Sequence, residues 1–401
     1  MLNIKEVDWE TFTKSQENFP QQNFLQTGQM ARLQALRGRD VSCLLVFEDE
    51  TIVGQLLVQY RKIKRFFKEA LILHGPIYSN QDQALISQLI ASLESYFKKQ
   101  KVAKISYFPY VIETIKDNQL QTVQSQLNGE LIKSFSTAGY QRAFDKEQEM
   151  IINTQFVKPL ETIHTKEELL ENLIPSVKRD IKKSQAMQVK IEELNVENLD
   201  EFYHILQMTG ERKGFSIQEF DYFKSIKEQF KEHAKFMLAY LDCEAYQNYL
   251  NQNISSFETK IKELEDRPQK KRTKGQIADA KDQLRSYYKR QEEFDHMSIQ
   301  GNKLPLSSYL FMCYGNEIVS FQGGNDERYM NFCAATLIHW EMLQYAINNQ
   351  YQLFNFYGTT ETEMANAGKG NFKFKSQFGG QLDILVGEFY KILNPVLKII
   401  N

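Results

Sequence analysis

The segment 245–297 differs in composition from the rest of the chain and constrains the fold more than any other feature. It is rich in lysine, glutamate and glutamine and contains few β-branched residues. Its apolar and seam-forming residues recur in alternating steps of three and four in two runs. This spacing predicts two helices, each with one apolar seam. The seam residues are Leu250, Ile254, Phe257, Ile261 and Leu264 in the first run, and Ile277, Ala280, Leu284, Tyr287, Gln291 and Phe294 in the second.

A breaking sequence separates the two predicted helices. The stretch 267–275 contains Pro268 and ends at Gly275. A proline stops one helix, and a glycine allows the chain to turn before the next. We therefore expect an antiparallel helical hairpin, of coiled-coil type, over 245–297. It should project by about 30 Å and is an insertion into another fold.

The chain repeats one pattern on the two sides of this insertion. The segments 47–54 and 313–320 each predict a strand, a polar turn and a returning strand that carries an Ile-Val pair. A hairpin followed by a helix that crosses to another strand is the order of an N-acetyltransferase (GNAT) type α/β domain. The alternative is chance, since βαβ units are common. The predicted helices are 82–100 and 334–349, and the predicted strands that follow them are 102–110 and 353–358.

Composition narrows the class of protein. A chain of 401 residues suggests two or three domains. Its 49 lysines and arginines are balanced by 51 acidic residues, so contact with RNA would require local basic patches. The start of the chain lacks the apolar core of a signal peptide, and no apolar run approaches the ~20 residues that span a bilayer. We expect a cytoplasmic protein.

The residues that usually hold metals show no pattern of metal ligands. The four cysteines are scattered without a CxxC pair, and the six histidines show no paired spacing. Neither a zinc site nor a disulfide framework is indicated. We expect no metal.

Five local motifs occur in a characteristic order along nearly the whole chain: His-Gly-Pro-Ile at 74–77, Glu-Arg-Lys-Gly-Phe at 211–215, Trp-Glu-Met at 340–342, Asn-Phe-Tyr-Gly at 355–358 and Phe-Lys-Phe-Lys-Ser-Gln-Phe-Gly at 372–379. Together with the helical insertion, their order resembles the FemABX family of peptidoglycan interpeptide-bridge aminoacyl transferases. The resemblance implies two tandem GNAT-like α/β domains. The first would comprise 1–152 and 385–401, the second 153–244 and 298–384, and the hairpin 245–297.

The resemblance also implies an activity. Members of the family transfer an amino acid from aminoacyl-tRNA to the stem peptide, or to the growing bridge, of a peptidoglycan precursor. The acceptor would be lipid II or UDP-MurNAc-pentapeptide, and its amine would attack the tRNA ester directly. Apart from aminoacyl-tRNA as co-substrate, no cofactor is implied.

Two other functions stay open. A CoA-dependent acyltransferase of the GNAT type needs a glycine-rich loop that opens a helix and binds pyrophosphate. The nearest candidates, 367–370 and 378–380, open no obvious helix. The second alternative is a non-catalytic adaptor that binds RNA or a partner helix through the hairpin.

Two basic residues match positions that the family uses. Arg212, in its Glu-Arg-x-Gly context, resembles the arginine that contacts precursor phosphates. The alternative is a cation that complements the end of a helix before Gly214. Lys375 resembles the lysine beside the reacting centre, which makes it the candidate catalytic residue. Its alternative is the solvated face, shared with Lys373, of a short strand.

The remaining substrate-binding candidates are Phe374, Phe378, Tyr222, Arg32 and Gln34. The family's Trp-x-x-x-Lys pattern in the first helix is replaced here by Met30 and Gln34. Arg32, Arg37 or Arg39 could substitute for the missing lysine. Phe108 stands where some members have an aspartate before proline, so no carboxylate base is available at that position.

Two basic stretches are candidate contacts with larger partners. Lys270, Lys271, Arg272 and Lys274 at the hairpin tip could bind tRNA phosphates. The stretch 61–68 should form a hairpin turn, and its Phe66 and Phe67 among cations could contact an anionic membrane surface. A solvated charged exterior is the alternative for both.

Overall fold

The computed structural model describes residues 2–16, 19, 22–79, 82–143, 153–297, 299, 301–359 and 370–400. These residues form two mixed β-sheets with helices on their faces and a long helical hairpin. The α/β fold with two sheets, predicted from the repeated pattern, is confirmed.

The first sheet has the strand order β1-β2-β3-β4-β6-β17-β9, with β5 paired to β3. Strands β4 and β6 are parallel, and the chain passes between them through helix α3, Gln83–Lys99. Leu89, Leu93 and Phe97 of α3 are fully buried, and each contributes roughly 1.5–3 kcal/mol by leaving water. The strands are β1 Asn3–Val7, β2 Asp40–Glu48, β3 Thr51–Ile63, β4 Phe67–Leu73, β5 Ile77–Tyr78, β6 Lys104–Phe108, β9 Gln141–Ala143 and β17 Glu388–Ile392.

The second sheet has the order β11-β12-β13-β14-β15-β10-β16-β7-β8. Its parallel pair is β14 and β15, which are joined through helix α11, Ala334–Asn348. The same hairpin, helix and strand therefore occur in both sheets, as the repeat predicted. The strands are β7 Ile112–Lys116, β8 Thr122–Gln124, β10 Thr154–Pro159, β11 Val189–Leu194, β12 Ala234–Asp242, β13 Lys303–Tyr314, β14 Glu317–Asn325, β15 Leu353–Gly358 and β16 Gln381–Leu385.

The helices outside the two crossovers cover the sheets or form the insertion. Helix α7, Leu199–Lys213, is an example of how the sequence sets a helix. It buries Leu199, Phe202 and Leu206 on one face, and it ends where Gly214 adopts φ +70°. The remaining helices are α1 Trp9–Ser15, α2 Gly28–Leu36, α4 Gly129–Thr137, α5 Lys166–Glu171, α6 Pro175–Ala186, α7 Leu199–Lys213, α8 Phe220–Phe230, α9 Cys243–Glu265, α10 Lys271–Asp295, α12 Asn371–Ser376 and α13 Pro395–Ile400. Short 3₁₀ turns lie at Phe24–Gln26, Val196–Asn198, Lys231–His233 and Glu327–Phe332.

Helices α9 and α10, of 23 and 25 residues, form the hairpin. They run antiparallel, because Gln247 contacts Gln291 at the base (2.7 Å) while Glu265 contacts Lys281 near the tip (2.8 Å). All of the predicted seam residues are buried or half-buried. The predicted turn was too long: Gly275 lies inside α10, because the helix already begins at Lys271, soon after Pro268.

Sheet membership does not follow the predicted domain ranges in every part. Strands β7 and β8 fall within 1–152 but pair in the second sheet, whereas β17 returns to the first sheet. The chain therefore crosses between the sheets four times: around residues 109–111, between β8 and β9, between β9 and β10, and at 386–387. The domain ranges themselves stay a prediction. In the part of the chain that the structure describes, no helix has both the length and the apolar character needed to cross a membrane.

Candidate functional site

The parallel strands β14 and β15 pair over only three residues. Glu317–Val319 of β14 pairs with 353–355 of β15, and beyond this point no pairing continues. Tyr357, near the end of β15, has φ 64°, which a bulky residue rarely adopts. Its ring meets Phe321 of β14 at 5.5 Å between centroids. The end of β15 is thus separated from β14, although Gly358 still pairs with Gln155 of β10, and the predicted catalytic residue lies there.

Lys375 is buried at this strand end. Its side chain comes from α12, and the residue is 5% exposed. The ammonium Nζ donates to the carbonyl oxygen of Tyr357 at 3.1 Å and to that of Gly358. A buried ammonium needs such acceptors, since an unpaired charge away from water is costly.

The expectation of a short strand around Lys375 is wrong. Asn371–Ser376 is helical, and Phe372, Lys375 and Phe378 are all buried. Their spacing of three matches one face of a helix, whereas the alternation of Phe372 and Phe374 imitates a strand. The alternative of a solvated Lys375 is wrong as well, although Lys373 in the same helix is exposed.

An aromatic cluster encloses the imidazole of His339 next to Lys375. Phe374 lies 5.1 Å and Phe378 5.8 Å from the imidazole centroid, and Tyr309 lies 4.6 Å from it. Burial lowers the pKa of His339 to about 4, and the charge of Lys375 contributes in the same direction. His339 is therefore neutral at physiological pH. Sequence reasoning missed it, although it immediately precedes the Trp-Glu-Met motif.

Arg212 is close enough to Tyr309, the ring beside His339, to act on it electrostatically. It occupies the last turn of α7, its side chain is 36% exposed, and its Nε lies 3.4 Å from the Glu327 carboxylate. Burial raises the pKa of Tyr309 to about 12, and the positive charge of Arg212 opposes this rise. The charge of Arg212 thus acts on Tyr309 and that of Lys375 on His339, and these two rings are in contact. The helix-end alternative also describes Arg212 correctly, so position alone does not decide its role.

Tyr222, on α8, connects the other side of the site to two arginines. The Arg37 guanidinium lies 4.5 Å from the centre of its ring. Burial raises the pKa of Tyr222, and the charges of Arg37 and Arg39 oppose that rise. Burial raises the pKa of Tyr357, and Tyr222 contributes to this rise; both rings pack against the same apolar core. The backbone carbonyl of Tyr357 accepts the hydrogen bond from Lys375. The structure therefore brings Tyr222, Arg37 and Arg39 toward the end of β15.

The described contacts of Arg32 and Gln34 lie elsewhere. The Arg32 guanidinium is 6.0 Å from the Trp9 ring. Gln34 is buried on the inner face of α2, where its Nε2 lies 3.3 Å from the sulfur of Met30. One helical turn separates these two residues, so they face the core together. Of the three arginines considered as substitutes for the missing lysine, Arg37 and Arg39 are those near Tyr222.

A buried polar network between the two sheets escaped sequence reasoning. The Tyr110 hydroxyl donates to Glu317 Oε1 at 2.6 Å, and Asn355 Nδ2 donates to the same oxygen at 2.7 Å. The Tyr110 ring stacks on the buried His74, with centroids 4.5 Å apart. Burial raises the pKa of Glu317, while its two hydrogen bonds oppose that rise. The carboxyl group of Glu317 thus lies at the start of β14. Phe108, which stands where some family members have an aspartate, supplies no carboxyl group. The only sequence signals were Asn355 and His74, in two of the motifs.

A second buried lysine braces the segment that carries Lys375. Lys158 of β10 donates from Nζ to the carbonyl oxygen of Phe378 at 2.9 Å. Burial lowers the pKa of Lys158 to about 8. The contact fixes the chain just beyond α12, which positions Lys375. Nothing in the local sequence of Lys158 distinguished it from a surface lysine.

The predicted partner-binding stretches are exposed. Lys270, Lys271, Arg272 and Lys274 all lie on the surface at the hairpin tip. The stretch 61–68 forms the predicted turn between β3 and β4, and Phe66 at its tip is 89% exposed.

The two glycine stretches considered for CoA binding, and possible metal ligands, can be compared with the structure. Gly379 and Gly380 lead into strand β16, so no helix begins at this candidate glycine loop. Of the other candidate, 367–370, the structure describes only Gly370, which directly precedes α12, so the expectation that this stretch opens no helix is wrong. Among the described residues, no cluster of three or more His, Cys, Asp or Glu side chains could hold a metal ion.

Comparison with known proteins decides the family. The model of the FemAB family matches residues 4–401. The chain belongs to the FemAB family. Aminoacyltransferase FemA of Staphylococcus aureus (strain MRSA252) is 23% identical over 401 residues, covering 98% of this chain and 95% of FemA, and FemA of strain N315 has the same identity and coverage. The crystal structure of FemX superposes with a TM-score of 0.77 at 19% identity, covering 99% of both chains, and so shares the fold. The resemblance inferred from the five motifs is confirmed.

Proposed function

We propose that this FemAB-family chain is an aminoacyltransferase that moves an amino acid from aminoacyl-tRNA onto the stem peptide or growing bridge of a peptidoglycan precursor. Family membership and the relatives named aminoacyltransferase FemA support the reaction class. The observation that carries the proposal is the buried ammonium of Lys375 at the end of β15 that β14 leaves unpaired, within a motif that the family resemblance singled out.

The reaction joins an amine nitrogen to the ester carbonyl carbon and breaks the bond from that carbon to the ribose oxygen. The ester is already activated, so the protein must mainly align the two substrates and stabilise the tetrahedral oxyanion. The departing oxygen also needs a proton. A protonated lysine can supply both the positive charge and the proton, and it regains a proton from the attacking amine, which loses one as the amide forms. We assign these roles to Lys375, and no cofactor is required.

We assign precursor binding to residues on both sides of Lys375. Arg212 is accessible and carries a planar guanidinium that suits a diphosphate. The half-buried Phe374 and Tyr222 would form the walls against which the precursor packs. Phe378 is fully buried, so its predicted contact with substrate is wrong and it supports Phe374 and His339 from the core instead. Arg37 and Arg39 replace Arg32 and Gln34 as candidates for the second cationic contact, because they adjoin Tyr222.

The hairpin tip is the proposed contact with tRNA. Lys270, Lys271, Arg272 and Lys274 are exposed, and the first turn of α10 contains no acidic residue. Cations beside a helix N-terminus favour phosphate, since the backbone dipoles and the side chains act in the same direction. We propose a cytoplasmic location, where charged tRNA and both candidate acceptors are accessible.

A transfer assay tests the proposal. Purified protein is incubated with tRNAs charged with labelled amino acids, and with either lipid II or UDP-MurNAc-pentapeptide. We expect label on at least one acceptor, and no label when free amino acid replaces the charged tRNA. Acetyl transfer from acetyl-CoA instead would favour the CoA-dependent alternative. tRNA binding without any turnover would favour the adaptor.

A further inference from the structure

Three separate segments of the chain meet at one end of the first sheet. The β3–β4 turn lies next to the start of β6, because Lys68 accepts a backbone hydrogen bond from Ala103 at 2.7 Å. Ala103 in turn accepts from Leu393, which follows β17, at 2.7 Å. The end of α3, the β3–β4 turn and the start of α13 are therefore neighbours. We call this surface, formed by 62–68, 98–104 and 393–399, the basic end of the first sheet.

Cations without acidic partners dominate the basic end. Among the described residues, six exposed lysines and arginines on it form no salt bridge: Lys62, Lys64, Arg65, Lys99, Lys101 and Lys398. The acidic side chains nearby are neutralised, since Asp40 binds Lys68 at 2.9 Å and Glu94 binds Lys98 at 2.7 Å. The opposite end of the same strands carries the exposed acidic turn 48–50. A chain with a net charge of −2 thus concentrates positive charge at this end.

Large apolar side chains project from the same surface. Phe66 is 89% exposed, Ile399 83% and Val396 56%. Single exposed apolar residues are ordinary, but three among unpaired cations form a mixed surface. Nucleic acid would explain the cations but not the aliphatic side chains, because Val396 and Ile399 gain nothing from phosphate. The headgroup region of an anionic bilayer accommodates both kinds of side chain.

The β3–β4 turn has cationic residues at two positions where the backbone conformation would be less strained with glycine. Lys64 and Arg65 have φ 44° and 65°, the left-handed region in which glycine and asparagine are favoured. The β13–β14 turn of the second sheet meets the same demand with Gly315 at φ 60°. Retaining two long cations in this conformation places two positive charges directly before the exposed Phe66 in the turn.

We propose that the basic end of the first sheet docks on an anionic phospholipid bilayer, with Phe66, Val396 and Ile399 entering the headgroup region and the unpaired cations contacting lipid phosphates. This contact is peripheral. It does not depend on the transfer reaction, and it is measured without substrates.

Vesicle binding by the full-length protein tests the proposal. Vesicles of phosphatidylcholine alone are compared with vesicles that also contain phosphatidylglycerol. We expect binding that requires phosphatidylglycerol and weakens with salt. Phe66→Ser, and separately Lys64→Glu with Arg65→Glu, should each weaken it about tenfold or more. All three side chains are exposed, so the fold should persist, which circular dichroism would verify.

The matched control is Lys270→Glu with Lys271→Glu, which changes the net charge equally but at the hairpin tip. Vesicle affinity should stay within about twofold of the wild type, because these residues lie outside the basic end. Equal losses in the two charge-reversed variants, or no binding to anionic vesicles, would overturn the proposal. It would also fail if Lys64→Glu with Arg65→Glu impaired binding to tRNA while leaving vesicle affinity intact. Tryptophan fluorescence of a Phe66→Trp variant measures insertion directly. Its emission should shift to the blue when anionic vesicles are added, and an unshifted emission would contradict docking.

Discussion

The segment that carries Lys375 and the tip of the hairpin are both rich in lysine, but their cations differ in burial and in hydrogen bonding. Lys375 is 5% exposed and bound to two backbone carbonyls. Lys270 and Lys271 are exposed at the tip of a long arm. A charge held in a low-dielectric environment acts strongly on one nearby group, whereas exposed charges act weakly and additively through water. The difference suggests that the buried lysine serves chemistry and the exposed ones serve binding.

The largest expected effect comes from Lys375→Met. This change keeps most of the apolar stem but removes the charge and the proton. We expect kcat to fall by roughly 10² or more with little change in KM, the size associated with loss of a general acid or an oxyanion donor. Single-turnover transfer kinetics measure it, and the melting temperature monitors folding.

The matched control for Lys375 is Lys373→Met in the same short helix, since Lys373 is exposed. It should leave kcat near the wild-type value. If Lys375→Met folds normally and retains wild-type kcat where chemistry limits the rate, the buried lysine only ties α12 to β15.

Arg212→Ala should act on binding rather than on rate. A charged hydrogen bond to phosphate is worth about 1.5–3 kcal/mol, so KM for the precursor should rise by about tenfold or more while tRNA affinity is unchanged. Steady-state kinetics with varied precursor give the KM. Lys213→Ala removes a neighbouring exposed cation from the same helix end and should have little effect. Equal effects of the two variants would assign Arg212 to the helix end instead.

Reversing Lys270, Lys271 and Arg272 to glutamate should weaken tRNA binding and flatten its dependence on salt, because fewer counterions are released. The slope of log K against log salt should fall by about 2 in magnitude. Filter binding over a range of salt concentrations measures both quantities. The corresponding charge reversal at Lys64 and Arg65 serves as control. Unchanged affinity and slope would leave the hairpin a role in packing or partner contact.

The last prediction concerns the free energy of unfolding rather than activity, and its source is a third kind of ionisable group, the buried Asp383. Burial raises its pKa to about 6 from an ordinary 3.8. The folded state therefore retains a proton that the unfolded state has released, and stability should fall as pH rises from about 4 to 6. Asp383→Asn should remove this slope and stabilise the protein by up to roughly 3 kcal/mol at pH 7. Urea unfolding at several pH values measures it; an unchanged slope would show that Asp383 is not its source.

The sequence predicted the elements whose signal is local and periodic. The two helices of the hairpin, α11 and the strand Leu353–Gly358 follow from spacing and from breaking residues. The helix around Lys375 was taken for a strand because six residues are too few to show a period. A short amphipathic segment takes its structure from tertiary contacts, here the burial of Phe372, Lys375 and Phe378.

The candidate site was less predictable than the fold, because it depends on contacts between distant segments. Glu317, Tyr110 and Asn355 come from three parts of the chain and meet only where the two sheets adjoin. Arg37 rather than Arg32 adjoins Tyr222, because Arg32 projects from α2 toward Trp9. Family motifs identified Lys375 and Arg212, but they could not show which of the two is buried.

The central claim is that chemistry and tRNA binding reside in different sets of cations. The most direct measurement takes Lys375→Met and the variant with Lys270, Lys271 and Arg272 reversed through the same two assays, the single-turnover rate at saturating substrates and the equilibrium affinity for charged tRNA. Lys375→Met should lose the rate and keep the affinity, and the reversed variant should lose the affinity and keep the rate. If both variants change the same quantity, or if the hairpin variant loses the rate at saturation, the division between the two sets of cations is contradicted.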